Sequence, residues 1–573
     1  MSGAELPGQS APPRLSDYKH ERECFCLEVP ERFNPVTEIV ERWAVEDPAA
    51  TALVSIDATG AVMAEHSAAA LAERSARAAR ALLKLGVCKG DRIFIMLPRA
   101  PAFYEAMLGA IRIGAVVSPG TNQLTAGDIA YRIKEAGASV AITDAGGADR
   151  IDAVPGALPS LRHRLVYAPA GARPERGGDS SLPGWLDWDE LLTGAGPGAP
   201  GYPTLPSDPT AADDPMLLFF TSGTVSSPKM VRHNQAYGLG HIATARFWHD
   251  LRPGDRHWTV TDTGWAKAAW GGLFGQFHER ATVVQVALGK PDPQMILRTL
   301  RDHRITSFCA PPTLYRLLIQ SDLGAIDLST LRHCTSAGEP LNPEVIRAWK
   351  RGTGLEIYDA YGQTETTVLV ANYRTLPIRP GSMGKPVPGW NVEIHDEHGQ
   401  RAGDDVVGNI AVQVTDPRPV GLFAGYVGQP EADARAFHDG WYYTGDKARR
   451  DHDGYLWFEG RDDDVITSSA YRIGPFEVES ALIEHPAVME AAVVGKQDPQ
   501  RTQIVTAFVM LAPGYQGDEA LVAELQAHAR ATTAPYKYPR EIYFVEELPK
   551  TVSGKIRRSE LRRQLAERYA DIS

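Results

Sequence analysis

The stretch TSGTVSSPKM (221–230) sets three hydroxyls, Thr221, Ser222 and Thr224, around Gly223 and closes on Lys229. Hydroxyls and backbone N–H groups in a glycine turn can cradle phosphate oxygens, and a lysine adds a cation, so the stretch reads as a polyphosphate grip. It follows the apolar run MLLFF (216–220), which puts it at the carboxyl end of a predicted strand, where open α/β sheets bind ligands. Taken alone it also reads as a polar surface loop. Further on, SAGEPL (336–341) predicts a tight turn, and YDAYGQTET (358–366) gathers an aromatic, a glycine, hydroxyls and one carboxylate. WYYTGDKARRDHDGYLWFEGRDDDVI (441–466) supplies Asp446 and Arg461, and LPKTVSGKIRR (548–558) supplies Lys555 beside a glycine. No GxxxxGK[ST] loop, GxSxG elbow or HExxH helix occurs, which excludes a Walker-type P-loop and leaves no basis for a hydrolase triad or a zinc protease.

In this order the five motifs resemble the adenylate-forming superfamily: acyl-CoA synthetases, peptide-synthetase adenylation domains and luciferases. The resemblance covers nearly the whole chain after about residue 30. DTGWAKAAW (262–270), APPTLYR (310–316), GSMGKPVPGW (381–390) and GLFAGYV (421–427) look most like the medium-chain acyl-CoA synthetase branch. The resemblance implies an α/β fold: a large N-terminal domain of parallel sheets with a β-barrel-like part, a small mobile α+β C-terminal domain, and a site between them.

It also implies roles. Thr221 to Thr224 and Lys229 match the loop around the β- and γ-phosphates of ATP. Gly338, Glu339 and Pro340 match the segment lining adenine, with Tyr361 stacking on the base and Asp359 in the same wall. Thr364 matches a phosphate-binding threonine, and Glu365 the carboxylate that holds Mg²⁺, a hard ion suited to oxygen ligands. Asp446 and Arg461 match ribose contacts. Lys555 matches the lysine that bridges developing charge as the substrate carboxylate attacks the α-phosphorus, an electrostatic stabilisation in a closed site. Trp265 and Gly362 match positions bordering the acyl pocket. Asp463 matches a hinge acid about which the small domain turns, withdrawing Lys555 and bringing in residues 467–474 for thiolysis by CoA. Arg472 matches a residue near the CoA phosphates.

Two positions depart from the family pattern. Val225 and Ser226 stand where the phosphate loop usually has a hydroxyl residue and a glycine; Gly223 and its flanking hydroxyls are kept, so ATP binding is expected to survive. Ala470 stands where a glycine usually lines the pantetheine tunnel, and a methyl group narrows a slot built for a thin chain. The expected reaction is acid plus ATP to acyl-AMP and pyrophosphate, then transfer to CoA. The alternative raised by Ala470 is an enzyme that stops at acyl-AMP and passes it to a partner enzyme, a carrier-protein thiol or an amine. Intact Glu365, Asp446, Arg461 and Lys555 argue against a non-catalytic paralogue.

The elements that must position these residues follow from the pattern. The chain has 573 residues, too many for one core, and its 43% hydrophobic and 23% charged residues suit a globular protein. Leu71–Leu85 and 101–115 predict helices; 90–98, 138–144 and 216–220 predict buried strands, an alternation that implies parallel βαβ units. Expected boundaries are a flexible segment at 1–30, an ATP- and acid-binding domain at 31–460 with a Gly/Pro-rich surface excursion at 170–215, and a mobile domain at 461–573 carrying Lys555, strands near 491–496 and 504–511 and a basic helix. The net charge of −12 gives no chain-wide attraction for nucleic acid or anionic lipid. No run approaches a bilayer span, and the polar, Pro- and Gly-rich N-terminus has no apolar core of a signal peptide. Five cysteines without a framework fit a reducing, cytoplasmic location, and the Cys24-Phe-Cys26 pair has no matching metal ligands.

Overall fold

Apolar runs alternating with one-sided helices build two largely parallel sheets with antiparallel strands toward their edges. The computed structural model describes residues 12–168, 184–221, 228–289, 291–461, 464–468, 471–498, 500–534, 536–551 and 555–570. Among these, four sheets form. An eight-stranded sheet runs, edge to edge, through Gly425–Tyr426, Met230–Asn234, Pro215–Phe220, Val116–Pro119, Arg92–Met96, Val140–Asp144, His163–Tyr167 and Leu186–Asp187. A nine-stranded sheet holds Ser307–Ala310, His333–Ala337 and Ile357–Gly362 side by side in parallel. The part expected to be barrel-like is a five-stranded antiparallel sheet between Val392 and Arg461.

Local chemistry sets the helices between the strands. The expected helix at 71–85 is Ala68–Lys84, capped by Ser67, whose side chain accepts from the Ala70 N–H. Ala126–Ala136 begins with a Thr125/Asp128 capping box and ends at Gly137 in a left-handed conformation. Pro101–Arg112 is apolar around most of its circumference and is buried along nearly its whole length.

A change of sheet falls between Arg461 and Ile466. Leu456–Arg461 pairs with Trp441–Arg450, whereas Ile466–Ser468 pairs with Tyr471–Ile473 and Thr502–Leu511. The C-terminal sheet encloses its own core around Val493, Val505 and Leu525.

Two expectations need correction. The N-terminal segment is packed from residue 12 onward. Leu15 is 1% exposed, the Tyr18 hydroxyl donates to the Pro386 carbonyl, and Arg14 pairs with Glu279. A few anchoring side chains outweigh the polar composition of this stretch. The excursion at 170–215 is also not all surface. Residues 169–183 lie outside the described part, but Leu186–Asp187 extends the eight-stranded sheet. Trp188 is fully buried, and its indole N–H donates to Glu105 Oε2 at 3.2 Å.

Candidate active site

The loops that follow Phe220, Ala337 and Gly362, each at the carboxyl end of a strand, meet the antiparallel sheet and the C-terminal unit around one cavity of about 610 Å³. Thr221 and Lys229 line it. They also close a hairpin: the Thr221 N–H donates to the Lys229 carbonyl at 2.9 Å, and the Lys229 N–H donates to Thr221 Oγ1 at 3.2 Å. Ser222, Gly223 and Thr224, with the departures Val225 and Ser226, lie outside the described residues.

Gly338, Glu339 and Pro340 form a second wall. Gly338 has φ +107°, a conformation that side chains with a Cβ rarely adopt, which turns the chain sharply after the strand. Burial pushes the Glu339 carboxyl upward against the pull of Arg316, Lys555 and Lys267. Asp359 lies in the same wall, 6% exposed, and burial holds its carboxyl well above the usual range. Its Oδ1 has no partner among the described residues.

Tyr361, Gly362, Thr364 and Glu365 follow on one strand and its exit. A Cβ on Gly362 would lie 2.6 Å from the Thr367 carbonyl oxygen and 2.7 Å from the Trp270 ring, so this position admits no side chain. The Tyr426 hydroxyl donates to Glu365 Oε1 at 2.8 Å, and Lys229 Nζ sits 4.6 Å from the Tyr426 ring centroid. Burial raises the Glu365 carboxyl; the Tyr426 bond and the Lys229 charge oppose that shift. Glu365 is thus a buried carboxylate beside a hydroxyl and a lysine.

Asp446 and Arg461 face each other across the antiparallel ladder. Asp446 Oδ2 accepts from the Tyr361 hydroxyl and from Gln363 Nε2, both at 2.6 Å. Burial raises the Asp446 carboxyl, opposed by these bonds and by Arg461 and Lys555. Lys555, from the C-terminal unit, lines the same cavity and is held in a short ribbon: the Thr551 N–H donates to the Lys555 carbonyl at 2.7 Å.

Not every expected residue joins this group. Trp265 precedes the helix Ala266–Gly272 and is half-buried, but it does not line the cavity. Arg472 places its backbone in Tyr471–Ile473, opposite Thr467; its side chain, with Asp463 and Ala470, lies outside the described part.

Several residues escaped the sequence reading. Gln363, inside the YGQTE stretch, ties Asp446 to the Thr444 carbonyl and accepts from the Tyr442 hydroxyl. His233 meets the Thr364 carbonyl at 2.7 Å; burial lowers its pKa to about 4, so the neutral ring donates from Nε2. Lys267 Nζ donates to the Ala337 carbonyl at 2.8 Å, bracing the strand that leads into Gly338. Gln363 was findable from its motif, whereas His233 and Lys267 act through contacts more than 65 residues away in sequence.

A cavity that gathers hydroxyls, lysines and buried carboxylates at a junction of two units is the layout of an enzyme that activates an acid with a nucleotide. The description "AMP-binding enzyme" matches residues 40–427 and "AMP-binding enzyme C-terminal domain" matches 477–555, and the chain belongs to this adenylate-forming family. It is 41% identical over 564 residues to the mitochondrial acyl-coenzyme A synthetase ACSM3 of Mus musculus, covering 97% of this chain and 94% of that protein. It is 44% identical over 545 residues to the human ACSM5, also mitochondrial, covering 94% and 91%. Among solved structures, the anthranilate CoA ligase AuaEII in complex with anthranoyl-AMP matches with a TM-score of 0.83 and 29% identity, covering 94% of this chain and 98% of that one.

Within that family the chain is an acyl-CoA synthetase, an acid–thiol ligase. It converts a carboxylic acid and ATP to acyl-AMP and pyrophosphate, then transfers the acyl group to CoA with release of AMP. The cytoplasmic location expected from the thiols finds no support in these relatives, which are mitochondrial by name. All five cysteines are free, and among the described residues no helix is long and apolar enough to cross a membrane.

Proposed function

We propose that this chain activates an apolar monocarboxylic acid of medium-chain, branched or aromatic type, with the cavity residues in the following roles. Thr221, Lys229 and Thr364 bind the polyphosphate of ATP. Asp359 offers its unpaired Oδ1 to the amino group of adenine, and Gly338 to Pro340 lie along the base. Asp446 and Arg461 take the ribose hydroxyls. Glu365 fits Mg²⁺: it is a buried carboxylate with one hydroxyl partner and a lysine nearby. When bound, that ion would neutralise phosphate charge and favour departure of pyrophosphate.

Lys555 then stabilises charge on the reacting groups as a carboxylate oxygen bonds to the α-phosphorus and the bond to the pyrophosphate oxygen breaks. In the second half-reaction the CoA sulfur bonds to the acyl carbon, the thiol proton is lost to solvent and AMP leaves. The observation that carries this reading is Lys555 in one cavity with Asp446, Glu365 and Lys229, although it belongs to a different sheet system. An acyl substrate is supported by the acyl-coenzyme A synthetase relatives, and Gly362, which lines the cavity, leaves its side of the wall free of any side chain.

The test is a panel of acids scored by pyrophosphate release with and without CoA. Octanoate, isobutyrate and benzoate are expected to drive release, and acyl-CoA is expected to accumulate only when CoA is present. No acid-dependent release from any of them would sink the reading. Acyl-AMP persisting beside CoA would instead support transfer to another acceptor. A reducing compartment suits the five free thiols, and fractionation would decide between cytoplasm and mitochondrion.

A further inference from the structure

Inside the active cavity an arginine of the large unit lies against the C-terminal unit. Arg316 ends the motif APPTLYR and lies on the helix Pro312–Leu318 of the large unit. Its Nη2 is 3.7 Å from Glu339 Oε2, in the same unit, and 3.8 Å from Glu490 Oε1, on the strand Val488–Asp498 of the C-terminal sheet. The three side chains are only 22%, 16% and 13% exposed, so their charges are weakly screened.

The chain of charges continues to the catalytic lysine. Lys550 Nζ donates to Glu490 Oε2 at 2.8 Å. Lys550 is bridged to Ile556, and the Lys555 N–H donates to Thr551 Oγ1 at 3.2 Å, so Lys550 and Lys555 ride on one ribbon. Glu490 thus connects Arg316 to the segment that presents Lys555.

Removing Arg316 would do more than delete an attraction. Glu339 and Glu490 would be left as like charges facing each other across the boundary, and the charge on Glu490 already acts on Glu339. Repulsion there disfavours this arrangement. Among the described residues other polar contacts also cross this boundary: Asn342 Nδ2 donates to the Ser480 carbonyl at 3.3 Å, and Arg347 lies 3.8 Å from Glu484, where Arg347 is half-exposed and its charge more screened than that of Arg316.

We propose that Arg316 is a positioning residue that holds the C-terminal unit with Lys555 in the cavity, and therefore supports the adenylation half-reaction and not the thiolation one. This rests on the acid-activating function proposed above.

The experiment measures the two half-reactions separately in the full-length protein. Adenylation is read as acid-dependent exchange of labelled pyrophosphate into ATP, and thiolation as acyl-CoA formed from supplied octanoyl- or benzoyl-adenylate and CoA. Arg316→Gln and Glu490→Gln are each expected to lower kcat for exchange by about tenfold. The double variant is expected to be no worse than either single one. Thiolation is expected to hold or rise, which also shows that the variants are folded. Arg316→Lys keeps the cation and is expected to retain at least a third of the exchange rate.

Equal loss in both half-reactions, additive losses in the double variant, or an unchanged exchange rate would overturn the proposal. So would a raised KM for ATP at unchanged kcat, which would make Arg316 a nucleotide contact. If Arg316→Gln fails to fold, Arg316→Lys and Glu490→Gln decide by the same split. A wild-type protein without any exchange would refute the proposed function itself, a result distinct from failure of the Arg316 argument alone.

Discussion

Glu459 is a buried acid at the boundary between the two units, and replacing it with glutamine should remove a specific pH dependence. It lies on the strand Leu456–Arg461, 9% exposed, and accepts from Arg449 Nε at 3.1 Å. The residue Gly474 of the C-terminal unit approaches so closely that a Cβ there would sit 2.9 Å from Glu459 Oε2. Glu477, on the helix Pro475–Ile483, adds a like charge, while Lys537, bonded to Glu477, and Arg449 oppose it. Burial is the largest effect, and together these raise the carboxyl from 4.5 to about 7.

The sign follows from which state keeps the proton. Below pH 4.5 the group is protonated both folded and unfolded, and its contribution to stability is fully present. From there to about 7 the unfolded chain releases a proton that the folded chain retains, so stability falls as pH rises. Above the folded value the loss is complete, about 3 kcal/mol at roughly 1.4 kcal/mol per tenfold change in proton affinity. Between pH 5.5 and 8.5 the change is about 2 kcal/mol. Glu459→Gln stays neutral throughout. Urea unfolding of both proteins at pH 5.5, 7.0 and 8.5 should show the variant gaining about 2 kcal/mol on the wild type across that range. A difference between the two that does not change with pH would refute the reasoning, because every other titrating group is common to both.

Two further substitutions test the packing around the site. Gly362→Ala would press a methyl group against the Thr367 carbonyl and the Trp270 ring, and is expected to cost about 1–3 kcal/mol and to depress acid-dependent pyrophosphate exchange, read by thermal unfolding and the exchange assay together. Leu15→Ala should destabilise by about 2–4 kcal/mol although it lies far from the cavity, and a thermal midpoint equal to wild type would mean the N-terminal segment is not docked in solution.

The parallel βαβ pattern was legible because it is local: apolar runs such as 138–144 and MLLFF alternate with helices. The cavity residues were named by the order of five motifs that resemble a known family, since SAGEPL alone reads only as a turn. What the sequence did not disclose is long-range. The docking of Arg14 and Tyr18 depends on partners more than 230 residues away, which no local composition reveals. Trp188 sits in a stretch whose glycines and prolines suggest surface, yet its indole finds Glu105 across 83 residues. The hairpin at Thr221 was read as a turn at the end of one strand, because the antiparallel return of Met230–Asn234 is a pairing preference and not a spacing. The resemblance puts Trp265 at the pocket edge, whereas it is the residue before the helix Ala266–Gly272 and is not among those that line the cavity.

That hairpin has a consequence for how the site can change over time. Its two ends are pinned to each other through Thr221 and Lys229, and its return strand is pinned again by Gly425–Tyr426, which brings Tyr426 to Glu365. The positions of Thr221 and Lys229 are therefore set by strand pairing and not by the lysine's charge. Replacing that cation can retune the grip over evolution, or by design, while Tyr426 stays beside Glu365.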